Sequence, residues 1–153
     1  MKGIIAAKEL FNRLSQTARN FMFMALLASA VGLPLAYGAA GEEAGAEVKL
    51  SLAQKLPNVP GKTITAIVVN YAPGGKSGKH HHAGSVFAYV LSGAIRSENS
   101  ATGPVNVYRA GESFFEPPGS EHLISENASA TEPASLLAVF VADDDARLTT
   151  FDE

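Results

Sequence analysis

Residues 74–93 read GGKSGKHHHAGSVFAYVLSG, and residues 111–122 read GESFFEPPGSEH. The first stretch opens on a glycine-rich turn, presents three consecutive histidines, and runs into Ser85–Leu91, rich in aromatic and β-branched residues. It stops at the turn signal Ser92-Gly93. The second stretch passes through Pro117-Pro118-Gly119 and ends on a histidine. In an extended segment alternate side chains share a face. His80 and His82 therefore point together, and His81 points away. Two imidazoles two residues apart on a strand can reach one ion at about 2.0–2.1 Å each. A third ligand must come from elsewhere, and His122 is the only other histidine among the four in the chain. The residues alone leave a plainer reading beside this one: an exposed histidine run as surface decoration and His122 as an ordinary half-buried side chain.

Outward from these stretches the chain reads as short strands. Thr63–Tyr71 (TITAIVVNY) is β-branched and bounded by Pro60-Gly61 and Pro73-Gly74, which predicts a strand. Val105–Tyr108, Ser113–Phe115 and Leu123–Ser125 are shorter candidates. Ser135–Val141 (SLLAVFV) is apolar almost throughout, which predicts a central strand buried on both faces. Turn signals separate them at Pro73-Gly74-Gly75, Gly103-Pro104 and Ala110-Gly111. Many short strands without an intervening helical period predict an all-β sandwich or barrel. Asp143–Asp145 reads as a solvated acidic turn, because it lacks the regularly spaced oxygen donors of a calcium loop.

The pattern Gly74-x5-His80-x-His82 followed by Gly93 resembles the first motif of the cupins. Gly111-x5-Pro117-x-Gly119-x2-His122 resembles their second, with Asn127 one residue later than usual. The resemblance covers roughly residues 62–142. It implies a small double-stranded β-helix, the jelly-roll barrel, with a divalent metal held by His80, His82 and His122. Gly93, Gly111 and Gly119 would serve turns that need positive φ or close approach. The chain departs from the family pattern at one place. Cupins usually supply a fourth ligand, a glutamate, four residues after the second histidine, and here that residue is Val86. Val86 shares the strand parity of His82, so it should face inward, but it cannot ligate. A site of three neutral imidazoles suits a transition metal (iron, zinc, manganese, copper or nickel) better than magnesium or calcium. Glu121 should face away from the metal. Glu116 is the carboxylate to test as an outer partner of a metal-bound histidine or as an acid–base group, and so as the candidate catalytic residue. Tyr71 and Arg96 are candidates for the barrel mouth, while Phe87, Tyr89, Phe114 and Phe115 read as packing.

Two function classes follow. One is an exported single-domain metalloenzyme acting on a small molecule as a dioxygenase, isomerase or lyase. The other is a non-catalytic ligand-binding, sensor or structural cupin. Neither a Ser-His-Asp pattern nor a phosphate loop supports another mechanism. Jelly-roll domains often pair through edge strands, so a homodimer is expected.

The 153-residue chain is 46% hydrophobic and 18% charged, enough to bury a core. It has no cysteine, which excludes disulfides, thiolate metal sites and cysteine nucleophiles. Its formal net charge is −3, and with no basic patch it does not suit nucleic acid. The charge is unevenly placed. Residues 1–38 carry Lys2, Lys8, Arg13 and Arg19 against Glu9, a net +3 that leaves −6 on the remainder. Phe21–Ala40 contains no charged residue. Basic residues, an apolar run and small residues in that order predict a secretory signal, cleaved after Gly38 or Ala40. The same run over residues 21–40 is about long enough for an uncleaved membrane anchor. Both readings export the acidic domain, periplasmic or secreted in the first case, anchored to the inner membrane in the second. The domain plan is thus a signal or anchor over 1–38, a linker or N-terminal arm over 39–61, the barrel over 62–142 and an acidic tail over 143–153.

Overall fold

The computed structural model describes residues 44–152. The expected signal or anchor helix lies outside the described residues. Ten strands follow in chain order: β1 (Ala44–Lys55), β2 (Lys62–Ser77), β3 (His80–His82), β4 (Ser85–Ser92), β5 (Ala94–Asn99), β6 (Gly103–Arg109), β7 (Ser113–Glu116), β8 (Glu121–Asn127), β9 (Ala134–Asp143) and β10 (Thr149–Phe151). The described residues contain no helix. All pairings are antiparallel, along β10-β3-β8-β2-β9-β4-β7, with β1 on β2 and with β5 between β6 and β8. The result is a nearly closed barrel, as expected.

β2 joins its two halves. Lys62–Tyr71 pairs with β9, and Lys76 and Ser77 then pair with β8. The strand was expected to end at Pro73-Gly74-Gly75. Instead it bends there and continues on the other side of the barrel. Gly75 permits this crossing, since a Cβ at that position would stand 2.5 Å from the Gly45 carbonyl oxygen and 2.9 Å from that of Ala72. Gly93, Gly111 and Gly119 all adopt positive φ, as the turns require.

Three expectations change. Residues 44–55, expected within the linker or N-terminal arm, form β1 and pair with β2 from Ala44↔Lys76 to Lys55↔Thr63. Their alternation is weak because most of β1 is exposed, so period-2 hydrophobicity could not mark it. β9 is central, between β2 and β4, but it is not buried on both faces. Ala134, Leu136, Ala138, Phe140 and Ala142 are buried, while the alternate residues are half-buried or exposed. A curved barrel wall has only one dry side. The acidic tail carries β10, which pairs with β3. Within it, Asp143 and Asp144 form ion pairs with Lys62 (2.6 Å) and Lys55 (3.0 Å).

The core is formed by inward residues of both halves, including Ile67, Val69, Tyr71, Val86, Val90, Ile95, Leu136 and Phe140. Tyr71 is buried here, its hydroxyl 2.9 Å from both Ser77 Oγ and Ser125 Oγ, and does not line a mouth. Arg96 points outward and pairs with Glu126 at 2.9 Å. Phe87, Tyr89 and Phe115 are exposed on the outer wall, and Phe114 is half-buried against the core.

Candidate metal centre

β3 supplies His80 and His82, both 6% exposed, and turns the half-buried His81 outward, its Nδ1 3.1 Å from Asp152 Oδ1. β8 lies beside β3 with His122 opposite His80. His122 is 3% exposed. Ligand atoms of His80, His82 and His122 all lie within 4.8 Å of one another. The ring centroids of His80 stand 4.7 Å from His82 and 4.9 Å from His122. Glu121 faces outward and pairs with Lys79 at 3.0 Å. The alternation read in the sequence places these four side chains correctly.

Each inward imidazole is held from behind. His80 Nδ1–H donates to the Gly78 carbonyl at 2.7 Å. His82 Nδ1–H faces the Leu148 carbonyl at 3.2 Å, with Thr149 Oγ1 also at 3.2 Å. A carbonyl can only accept, so Nδ1 carries the proton and Nε2 presents its lone pair. This is the tautomer a metal ligand needs. His122 is turned the other way. Its Nε2 bonds to Ser97 Oγ at 2.9 Å, and its Nδ1 is buried without a directed hydrogen bond.

The charge state suits the same role. Burial pushes His80 down to about 4, and the neighbouring His82 adds to the shift. Burial also lowers His82, against the opposing pull of Glu116. Both are therefore neutral near pH 7. Burial would raise the Glu116 carboxyl, but contact with His122 and the charges of His122, His82 and His80 hold it below its usual value. Glu116 is 3% exposed, and its Oε2 lies 3.0 Å from His122 Nδ1 and 3.9 Å from His82 Nε2. Val86, 1% exposed, faces the same interior and is the register partner of Glu116.

Sequence reasoning missed four contributors. Ser97 and Asn99 on β5 are buried; Ser97 holds His122, and Asn99 Nδ2–H donates to Glu116 Oε2 at 3.3 Å and to Ser120 Oγ at 3.0 Å. Their alternation in RSENS was a weak signal, but nothing in it indicated that β5 pairs with β8. Leu148 and Thr149 lie some 66 residues beyond His82 in sequence and meet it only through the β3–β10 pairing. Asn127 is structural: its Nδ2–H donates to the carbonyls of Ala72 (3.0 Å) and Glu132 (2.7 Å).

The fold and this cluster define a small antiparallel barrel with an interior three-histidine group able to hold a divalent metal. Residues 67–140 match the family model of the cupin domain, which makes the barrel a cupin domain. No curated protein is significantly similar to it. Among solved structures, Bacillus subtilis oxalate decarboxylase superposes with a TM-score of 0.57 at 24% identity, covering 72% of this chain and 29% of that one. Lactobacillus farciminis oxalate decarboxylase, in a formate complex, gives 0.56 at 21%, covering 72% and 32%. The DMSP lyase DddQ from Ruegeria pomeroyi gives 0.50 at 19%, covering 57% and 42%. The chain thus spans less than half the length of each. At these identities the likeness concerns the fold, which hosts many chemistries.

Proposed function

We propose that the barrel is an exported metal-binding cupin that acts on a small molecule, with one divalent transition metal held by His80, His82 and His122. One observation carries this reading: three buried imidazoles converge, with ligand atoms within 4.8 Å of one another. A metal held there would supply Lewis-acid or redox chemistry to the substrate. The protein's own part is preparation. Gly78, Leu148 and Thr149 set the tautomers of His80 and His82. Phe140, whose ring centroid lies 5.1 Å from that of His82, and Val86 keep one side of the cluster apolar. Glu116 brings the carboxylate nearest the cluster, placed to exchange a proton or to ligate.

The reaction classes compatible with such a barrel are those of a dioxygenase, an isomerase or a lyase. Oxalate and DMSP, named for the structural neighbours, are the first compounds to screen. Bacillus subtilis oxalate decarboxylase has Mn(II) centres, which puts manganese beside iron, zinc, copper and nickel among the metals to test. A second reading, a ligand-binding barrel without turnover, is favoured by Val86 at an inward position beside the cluster.

The test is elemental analysis of tag-free protein beside a His82→Ala variant. About one transition metal per chain, lost in the variant, is the expected result. Protein that stays metal-free after reconstitution with all five metals would remove the metal reading and leave the binding barrel. Export rests on residues 1–40, and N-terminal sequencing of the protein from fractionated cells tests it. A start at Ala39 or Gly41 marks cleavage, and an intact N-terminus in the membrane fraction marks an anchor.

A further inference from the structure

Position 86 is where a cupin usually places its anionic ligand, and a valine stands there. We infer that Glu116 supplies that ligand: the carboxylate has moved across one rung of the β4–β7 ladder, from Val86 to its register partner, and completes a centre of three histidines and one glutamate. The inference rests on the metal reading above and gives the site its fourth donor.

The geometry is that of a cross-strand exchange. Directly opposed residues on an antiparallel pair carry Cβ atoms about 4.5–5.5 Å apart and point to the same face. Val86 and Glu116 are such a pair, and both are buried in the interior. A carboxylate on either strand can therefore reach one point. Two donors sharing an ion at about 2.1 Å are about 3.0 Å apart at a right angle and about 3.4 Å apart at the tetrahedral angle. Glu116 Oε2 stands 3.0 Å from His122 Nδ1 and 3.9 Å from His82 Nε2. The first matches the right-angle value, and the second exceeds the tetrahedral value by about 0.5 Å. The contact with His122 involves the same Nδ1 that lacks a directed hydrogen bond. Two donor atoms thus face each other closely, as ligands of one ion do.

Charge points the same way. A buried carboxylate needs a compensating cation or several hydrogen bonds. No lysine or arginine among the described residues is buried, so the partner of this carboxylate in the metal-free protein is the histidine cluster itself, with His122 at 3.0 Å. The hydrogen bond to Glu116 Oε2 from outside the cluster is the long one from Asn99. Conversely, a divalent ion on three neutral imidazoles would leave two positive charges in a low-dielectric interior, and one carboxylate halves them. Oxygen ligation also broadens the site toward harder ions such as manganese(II). As a ligand, Glu116 is no longer the free acid–base group that its position in the sequence suggested.

The experiment uses the full, tag-free chain and manganese(II) and zinc(II) as probes. Affinity is read by competition with a chromophoric chelator, and the manganese environment by electron paramagnetic resonance. Four proteins are compared: wild type, Glu116→Gln, the exchange variant Val86→Glu/Glu116→Val, and Glu121→Gln as an outward-facing control. Loss of an outer partner of a metal ligand costs roughly 10–100-fold in affinity. Glu116→Gln is expected to lose more than that and to change the manganese spectrum, while the exchange variant recovers to within about tenfold of wild type and Glu121→Gln is unchanged. Circular dichroism separates lost binding from lost fold, and recovery in the exchange variant answers the question even if Glu116→Gln folds poorly. Wild-type metal binding with Glu116→Gln unaffected, or a loss that the exchange does not recover, overturns the inference and leaves the three-histidine site standing. Wild type that binds neither ion overturns this inference, and wild type that also stays metal-free with iron, copper and nickel overturns the metal reading as well.

Discussion

Gly78, Leu148 and Ser97 each hold one of the three inward imidazoles from the side away from its neighbours. The arrangement has a measurable consequence for the metal-free protein. An unfolded chain protonates His80 near its ordinary 6.5, whereas the folded chain does so only near 4. Between those values the unfolded state binds the extra proton, so stability falls as pH drops through that window. The full loss from His80 alone is about 3 kcal/mol. His82 shifts in the same direction, and Glu116, with a lowered value, adds its loss at still lower pH. Urea midpoints of chelator-treated protein near pH 7 and near pH 4.5 check this, and a midpoint that does not fall would contradict it. Ser97→Ala removes the hydroxyl behind His122. It is expected to weaken metal affinity by roughly 10–100-fold with little change in fold, as read by chelator competition and circular dichroism.

Two irregular elements set the site. The first is the bulge in β8. Asn99 faces His122 but Glu98 faces Ile124, so Leu123 is the extra residue. With strict alternation from His122, Ile124 and Glu126 would face inward. The bulge shifts the parity, and Ser125 and Asn127 are buried instead. The second is β10, three residues that lie against β3 and bring Leu148 and Thr149 to His82. Truncation after Arg147 is expected to leave the barrel folded and to lower metal affinity, because His82 loses the acceptors that fix its ring. The far-ultraviolet spectrum and a metal titration report the two effects separately. At the β2 crossing, Gly75→Ala is expected to destabilise the protein by roughly 1–3 kcal/mol, since backbone oxygens crowd the new methyl group. A denaturant midpoint equal to wild type would mean that the crossing tolerates a side chain.

At the scale of the whole molecule, the barrel buries its polar cluster at one place and leaves a largely apolar outer wall elsewhere. Phe87, Tyr89, Leu91, Phe115 and Val141 are all exposed, on β4, β7 and β9. Among the described residues β7 ends the strand path and pairs only with β4, and such an edge is the kind of surface through which barrels pair. A dimer in solution is the expected state, and sedimentation equilibrium of wild type beside Phe87→Ser/Phe115→Ser measures it. The metal content of each chain should not depend on that pairing, because all four proposed donors belong to one barrel.

The sequence by itself determined the all-β class, the two glycine-bounded motifs, the inward pair His80 and His82 with His122 as their companion, and the inward but non-ligating Val86. All but the role of His122 are local properties, which follow from turn chemistry and from the two-residue period of a strand and act within a few residues; His122 joins the pair only through the resemblance to the cupin motifs. Only the tertiary structure decided that residues 44–55 form a strand, that the acidic tail closes against His82, that Ser97 and Asn99 reach the cluster, and that Glu116 faces Val86. Each of these depends on which strands pair and in which register. Pairing is set by the burial of a shared core between segments distant in the chain, up to 66 residues for Leu148 and His82, and no local pattern of side chains encodes it.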